Sequence, residues 1–106
     1  MGEKKDLDMV MDLIVHSGNA KSLGMEAIQV AKKGNFEQAK EKFEEANNEL
    51  VKAHHTQTAL LQQESLGNRP QVSLLMVHGQ DHLMNAITFL DLAKELAEVY
   101  ETRNRL

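Results

Sequence analysis

Cysteine is absent from this 106-residue chain, and proline occurs once, at position 70. Without thiols there is neither a disulfide nor a thiolate metal site, which suits a reducing compartment. The fold must then rest on its own core, which a single domain of residues 1–106 is long enough to build. No apolar stretch approaches the roughly 20 residues of a membrane span. The opening Met1-Gly2-Glu3-Lys4-Lys5-Asp6 is not followed by an apolar signal core, so a cytoplasmic location without direct membrane insertion is expected. The net charge of -4 is spread evenly, with acidic and basic residues interleaved. That leaves no basic stripe for nucleic acid and no polybasic membrane patch. A glycine-rich, lysine-ended phosphate loop is also missing, so any phosphoryl group must arrive from another protein. Alternating β-patterns, internal repeats and low-complexity segments do not occur.

What remains is helical periodicity. With few interior breakers, three patterns are predicted, over about 6–33, 36–64 and 70–105. The first carries Leu7, Val10, Ile14, Gly18, Met25, Ile28 and Ala31, and Lys32-Lys33-Gly34 reads as its stop. Either Gly18 or Gly24 is expected to allow close approach of a neighbour. The second opens on Asn35 as N-cap, with Gln38 completing a capping box. Phe36, Ala39, Phe43, Ala46, Leu50, Ala53, Gln57 and Leu60 then form a coiled-coil-like seam, polar only at Gln57. Beyond the loop Ser65-Leu66-Gly67-Asn68-Arg69, Pro70 suits the first turn of the third helix.

In that helix Leu75, Gly79, His82, Leu83, Ala86, Phe89, Leu90, Ala93, Leu96, Ala97 and Tyr100 share one broad face. Leu74, Asp81, Asn85, Thr88 and Leu92 make a second stripe, more than an isolated bundle can cover unless Leu74 and Leu92 are simply exposed singles. The fold expected is all-α, an antiparallel up-down-up three-helix bundle that self-associates with Asp81 near its buried seam.

The chemistry concentrates in Val77-His78-Gly79-Gln80-Asp81-His82-Leu83-Met84. His78 and His82 are four residues apart and share a helix face. As zinc ligands they lack the glutamate that a metalloprotease needs directly after its first histidine; Gly79 stands there. As a phosphoryl acceptor, His78 has what is required: a neutral imidazole is a competent nucleophile near neutral pH. Gln80 and His82 flank it, and Gly79 offers a low wall for an approaching partner. His78 is expected about two turns inside its helix, beyond most of the macrodipole. Asp81 on its own reads as a solvent-facing residue; if copies meet there, its carboxylates need a proton or a hard cation. His54 and Gln57 read as a buried polar pair, and His16 and His55 as solvated. A non-catalytic helical protein-binding module and a metal-dependent hydrolase are the other readings of the same residues.

The Val77–Met84 motif resembles that of the enzyme IIA components of the lactose/cellobiose (N,N'-diacetylchitobiose) class of bacterial sugar phosphotransferase systems. So do Ser17-Gly18, Ala31-Lys32-Lys33-Gly34-Asn35-Phe36, Ala53-His54 and Gln57-Thr58, and the likeness runs from about Val10 to Tyr100. It implies a phosphoryl carrier. His78 would take phosphate from the phosphocarrier HPr and pass it to the cognate IIB component during uptake of a β-linked disaccharide. Gln80 and His82 would support the phosphohistidine. The family's homotrimer would place Asp81 on its axis around one divalent cation, usually magnesium. The chain departs from the family at Asn85-Ala86, where threonine or serine is common.

Overall fold

The computed structural model describes residues 2–106; Met1, included in the domain expected from the sequence, lies outside them. Three helices account for nearly all of the described chain: α1 (Gly2–Lys32), α2 (Phe36–Ser65) and α3 (Leu74–Arg105), with no strand among the described residues. They run up, down and up as a rod of 57 × 20 × 19 Å.

The turn between α1 and α2 is built by Gly34, whose φ of 86° only glycine adopts without strain. Its N–H reaches Ala31 O at 2.9 Å and the Asn35 N–H reaches Val30 O at 3.0 Å, closing the last carbonyls of α1. Asn35 then caps α2, accepting from Gln38 N through its side chain at 3.2 Å. The expected capping box differs in one detail. Gln38 Oε1 accepts from the Asn35 side-chain amide at 2.9 Å, because the Asn35 backbone N–H is already committed to α1.

α3 starts later than its sequence pattern suggests. The helix begins at Leu74, not Pro70, because Ser73 supplies a working N-cap. Ser73 is extended, with φ -125° and ψ 166°, and its Oγ accepts from Met76 N at 3.1 Å. A serine cap satisfies an orphan donor, which proline at the first turn cannot do. The first helix differs in the other direction, being helical from Gly2 rather than about Asp6.

The seam of α2 packs as the spacing predicts: Ala39, Ala46, Ala53 and Leu60 are buried, with Phe36, Phe43, Leu50 and Gln57 partly so. Its alanines let α1 come close, and α1 lies against both other helices along their length. The buried face of α1 agrees with the expected one in part: Val10, Ile28 and Ala31 are buried as expected, and Leu13, Ser17, Ala20 and Ala27 are fully covered beside them, whereas Leu7 and Met25 are nearly half exposed. Gly24 is the glycine that permits close approach. A Cβ there would stand 2.6 Å from Leu90 Cδ2 and 2.9 Å from Phe89 Cε2, while Gly18 faces open space. On α3 the buried line is Met76, Gly79, Leu83, Ala86, Leu90, Ala93 and Ala97. Leu75 and Leu96, expected inside, are 40% exposed.

Toward the α1–α2 turn, α2 and α3 part around a groove of about 880 Å³ lined by Phe36, Phe43, Lys40, Lys94 and Ala97 among others. It lies at the far end of the rod from the histidine motif.

Candidate functional site

Because α3 starts at Leu74, His78 sits one turn inside the helix instead of two. That is still just beyond the turn where the macrodipole acts strongly. The i, i+4 spacing brings the two histidines into direct contact. His82 Nε2 lies 3.1 Å from His78 Nε2, and the rings meet edge to face with centroids 4.5 Å apart. His78 is exposed and His82 half-buried. Of two facing ring nitrogens one must donate and the other accept. With the proton on His82, Nε2 of His78 carries the lone pair a nucleophile needs, held by the His82 N–H until the rings part.

Gly79 does not serve an approaching partner. It is buried against α1, where a Cβ would lie 3.0 Å from Val10 Cγ1 and 3.4 Å from Val10 O. The missing side chain lets α1 and α3 close beneath the histidine pair.

Gln80 projects to the other flank of α3, toward α2. Gln57 Nε2 donates to Gln80 Oε1 at 2.8 Å, and both side chains are partly buried. The polar break in the α2 seam is therefore paired with Gln80, not with His54, which is exposed. His78 and Gln80 do not meet within one copy of the chain. At about 100° per residue, His78 lies about 60° to one side of Asp81 and Gln80 about 100° to the other.

Asp81 is exposed, and its Oδ2 accepts from Asn85 Nδ2 at 3.1 Å. No group of three or more metal-ligating side chains forms among the described residues. A single carboxylate cannot hold a hard cation, which takes six or more oxygens. Asp81 fits such an ion only where several copies converge. The surface around it is suited to convergence: Leu74, Val77, Met84, Leu92 and Val99 are all more than half exposed on the same outward side of α3.

One polar cluster was not anticipated. His16 is half-buried between α1 and α2, with Nε2 3.1 Å from Asp12 Oδ1 and Nδ1 3.3 Å from Glu49 Oε1. Glu49 also accepts from Asn19 at 2.7 Å and from Lys52 at 3.0 Å. The Asn19 hydrogen bond, then that of Lys52, draws its carboxyl down from 4.5 to about 2. Thr56 Oγ1 donates to Asp12 across the same junction. The signal available in sequence was only an i, i+4 Asp12–His16 pair; Glu49 joins through the fold.

The family model for the lactose/cellobiose-specific IIA subunit of the phosphotransferase system matches residues 8–101, nearly the whole chain. The chain belongs to this IIA family. It is 50% identical over 93 residues to the lichenan-specific phosphotransferase enzyme IIA component of Bacillus subtilis, covering 88% of this chain and 84% of that protein. Among solved structures, the cellobiose-specific enzyme IIA of Bacillus anthracis superposes with a TM-score of 0.92 at 42% identity, over 94% of this chain and 92% of that one. The N,N'-diacetylchitobiose IIA of Escherichia coli, solved in complex with HPr, superposes with a TM-score of 0.82 at 36% identity, over 93% and 96%. This IIA protein is thus a phosphotransferase component, and no helix among its described residues is long and apolar enough to cross a membrane.

Proposed function

We propose that His78 is the phosphoryl acceptor of this IIA protein, taking phosphate from HPr and giving it to a cognate IIB component during uptake of a β-linked disaccharide. The observation that carries this is the exposed His78 ring, whose Nε2 is met at 3.1 Å by Nε2 of His82. The His78 Nε2 lone pair attacks the phosphorus of the donor's phosphohistidine. The new N–P bond forms as the donor's N–P bond breaks, and the donor imidazole leaves with its electron pair. Transfer to IIB reverses these roles at His78. Little covalent chemistry falls to the protein, so its contribution is positioning and donors for the phosphoryl oxygens. His82 Nε2–H, freed from the ring nitrogen by a small rotation, is one such donor. HPr as partner is supported by the complex solved for the Escherichia coli relative, and cellobiose or a related β-glucoside by the relatives' named sugars.

The working form is a homotrimer. The outward stripe of α3, apolar at Leu74, Val77, Met84, Leu92 and Val99, supports three α3 helices packed about one axis at Asp81. In that arrangement the His78 flank of one copy faces the Gln80 flank of the next, so Gln80 supports the neighbour's phosphohistidine. Three Asp81 carboxylates at the axis would hold one magnesium ion, which would supply charge neutralisation there and takes no part in the transfer. Asn85 orients each carboxylate from one turn below.

Supplying phosphoenolpyruvate, enzyme I, HPr and a IIB component tests the relay. The wild-type protein should phosphorylate IIB, and His78→Ala should leave phosphate stranded on HPr. IIB phosphorylation undiminished by His78→Ala would reject the assignment.

A further inference from the structure

Gln57 belongs to no part of the site described so far except through its bond to Gln80. Its Nε2 donates to Gln80 Oε1 at 2.8 Å, and among the described hydrogen bonds neither amide has another partner. A primary amide has two ends, and which end faces outward decides whether it attracts or repels a phosphoryl oxygen. By occupying the carbonyl end of Gln80, Gln57 leaves the NH₂ end as the outward one. We infer that Gln57 is a positioning residue for phosphoryl transfer: it fixes the Gln80 amide with its donor face toward the bound phosphoryl group.

This rests on the reading in which Gln80 supports the phosphohistidine. The placement favours it on three counts. Gln57 interrupts an otherwise apolar seam, so a polar side chain there is costly unless it is hydrogen-bonded. Both residues stand on long helices locked by the packing of Ala53, Leu60 and Leu83, so the pair is held by rigid elements. The bond also spans two helices, so it fixes the amide's rotation about its last torsion, which packing alone leaves broad.

A double-mutant cycle on the full-length, assembled protein separates the possibilities. Gln57→Met and Gln80→Met keep length while removing the amide. The steady-state rate of phosphate transfer from phospho-HPr is measured for each, with KM and kcat resolved. Gln57→Met should lower kcat by about 10-fold, the order seen when outer-shell partners of a functional group are lost, with KM for HPr little changed. In the Gln80→Met background, Gln57→Met should cost nothing further, since it acts only through Gln80. The Gln80 side-chain NH₂ resonances should shift on phosphorylation in the wild type and lose most of that shift in Gln57→Met. Gln57→Glu, which keeps the length but accepts instead of donating, should turn the Gln80 amide around and slow transfer at least as much; it also serves if Gln57→Met fails to fold. A slow Gln80→Met beside a normal Gln57→Met, or losses that add across the cycle, would overturn the inference alone. A normal Gln80→Met would overturn the supporting role of Gln80 and this inference with it.

Discussion

The chemistry of this chain is decided by which side chains a helical spacing does and does not bring together. His78 and His82, four apart, touch; His78 and Gln80, two apart, point to opposite flanks. The first relation was legible in the sequence and the second follows from the same geometry. The partner of Gln80 was not, because Gln57 reaches it only once α2 lies alongside α3. Gly79 misled for a related reason: a glycine beside a reactive histidine suggests access, but here its bare Cα is covered by Val10. At this scale Glu49 gives a pH prediction. Its carboxyl is lowered to about 2 in the folded chain against 4.5 ordinarily, so it binds a proton more readily when unfolded. Its stabilising contribution is complete above about pH 4.5 and is lost as pH falls toward 2. Denaturant titrations from pH 7 to 2.5 should show a wild-type decline that is shallower in Glu49→Gln. Equal slopes in both proteins would mean that the cluster with Asn19, Lys52 and His16 contributes nothing.

At the scale of the element, α2 was the easiest helix to read, because its seam steps by three and four without a break from Phe36 to Leu60. The first helix was harder. It is apolar on more than one side: Val10, Ile28 and Ala31 are buried as expected, but large residues such as Leu7 and Met25 stay outside. Leu13, Ser17, Ala20 and Ala27 complete the contact, since small residues let helices approach and the closest approach decides what is buried. Gly24 shows this most sharply. Replacing it with alanine gains about 1 kcal/mol of helix propensity. It also sets a methyl 2.6 Å from the buried Leu90, and overpacking of that kind costs about 1–3 kcal/mol. Gly24→Ala should therefore lower the thermal midpoint, while the same change at Gly18, which faces open space, should not. A raised midpoint for Gly24→Ala would show that the ends of the Leu90 and Phe89 side chains swing aside at little cost. The start of α3 was missed because Pro70 is a permissive signal, whereas Ser73 is an active one: its hydroxyl satisfies a backbone donor.

On the scale of the whole molecule, one copy of the chain leaves its site unfinished. Gln80 faces away from His78, Asp81 is a lone carboxylate, and the outward side of α3 exposes Leu74, Val77, Met84, Leu92 and Val99. The proposed trimer about Asp81 would resolve all three at once. Carboxylates gathered on an axis repel, so the assembly should tighten with a divalent cation or on mild acidification. Analytical ultracentrifugation should find trimers whose thermal midpoint rises with added magnesium. Asp81→Asn, which removes the repulsion, should give trimers that no longer respond to the ion. A magnesium response preserved in Asp81→Asn would place the cation elsewhere. The resemblance carried by the Val77–Met84 motif led to this assembly; the exposed stripe supports it independently, whereas a single sequence pattern fixes neither the number of copies nor their direction. Whether His78 carries phosphate can be read from intact-mass spectrometry after incubation with phosphoenolpyruvate, enzyme I and HPr. Each chain should gain one phosphate, and the gain should disappear in His78→Ala. An unchanged mass in the wild type while HPr itself is phosphorylated, or an equal gain in His78→Ala, would contradict that role.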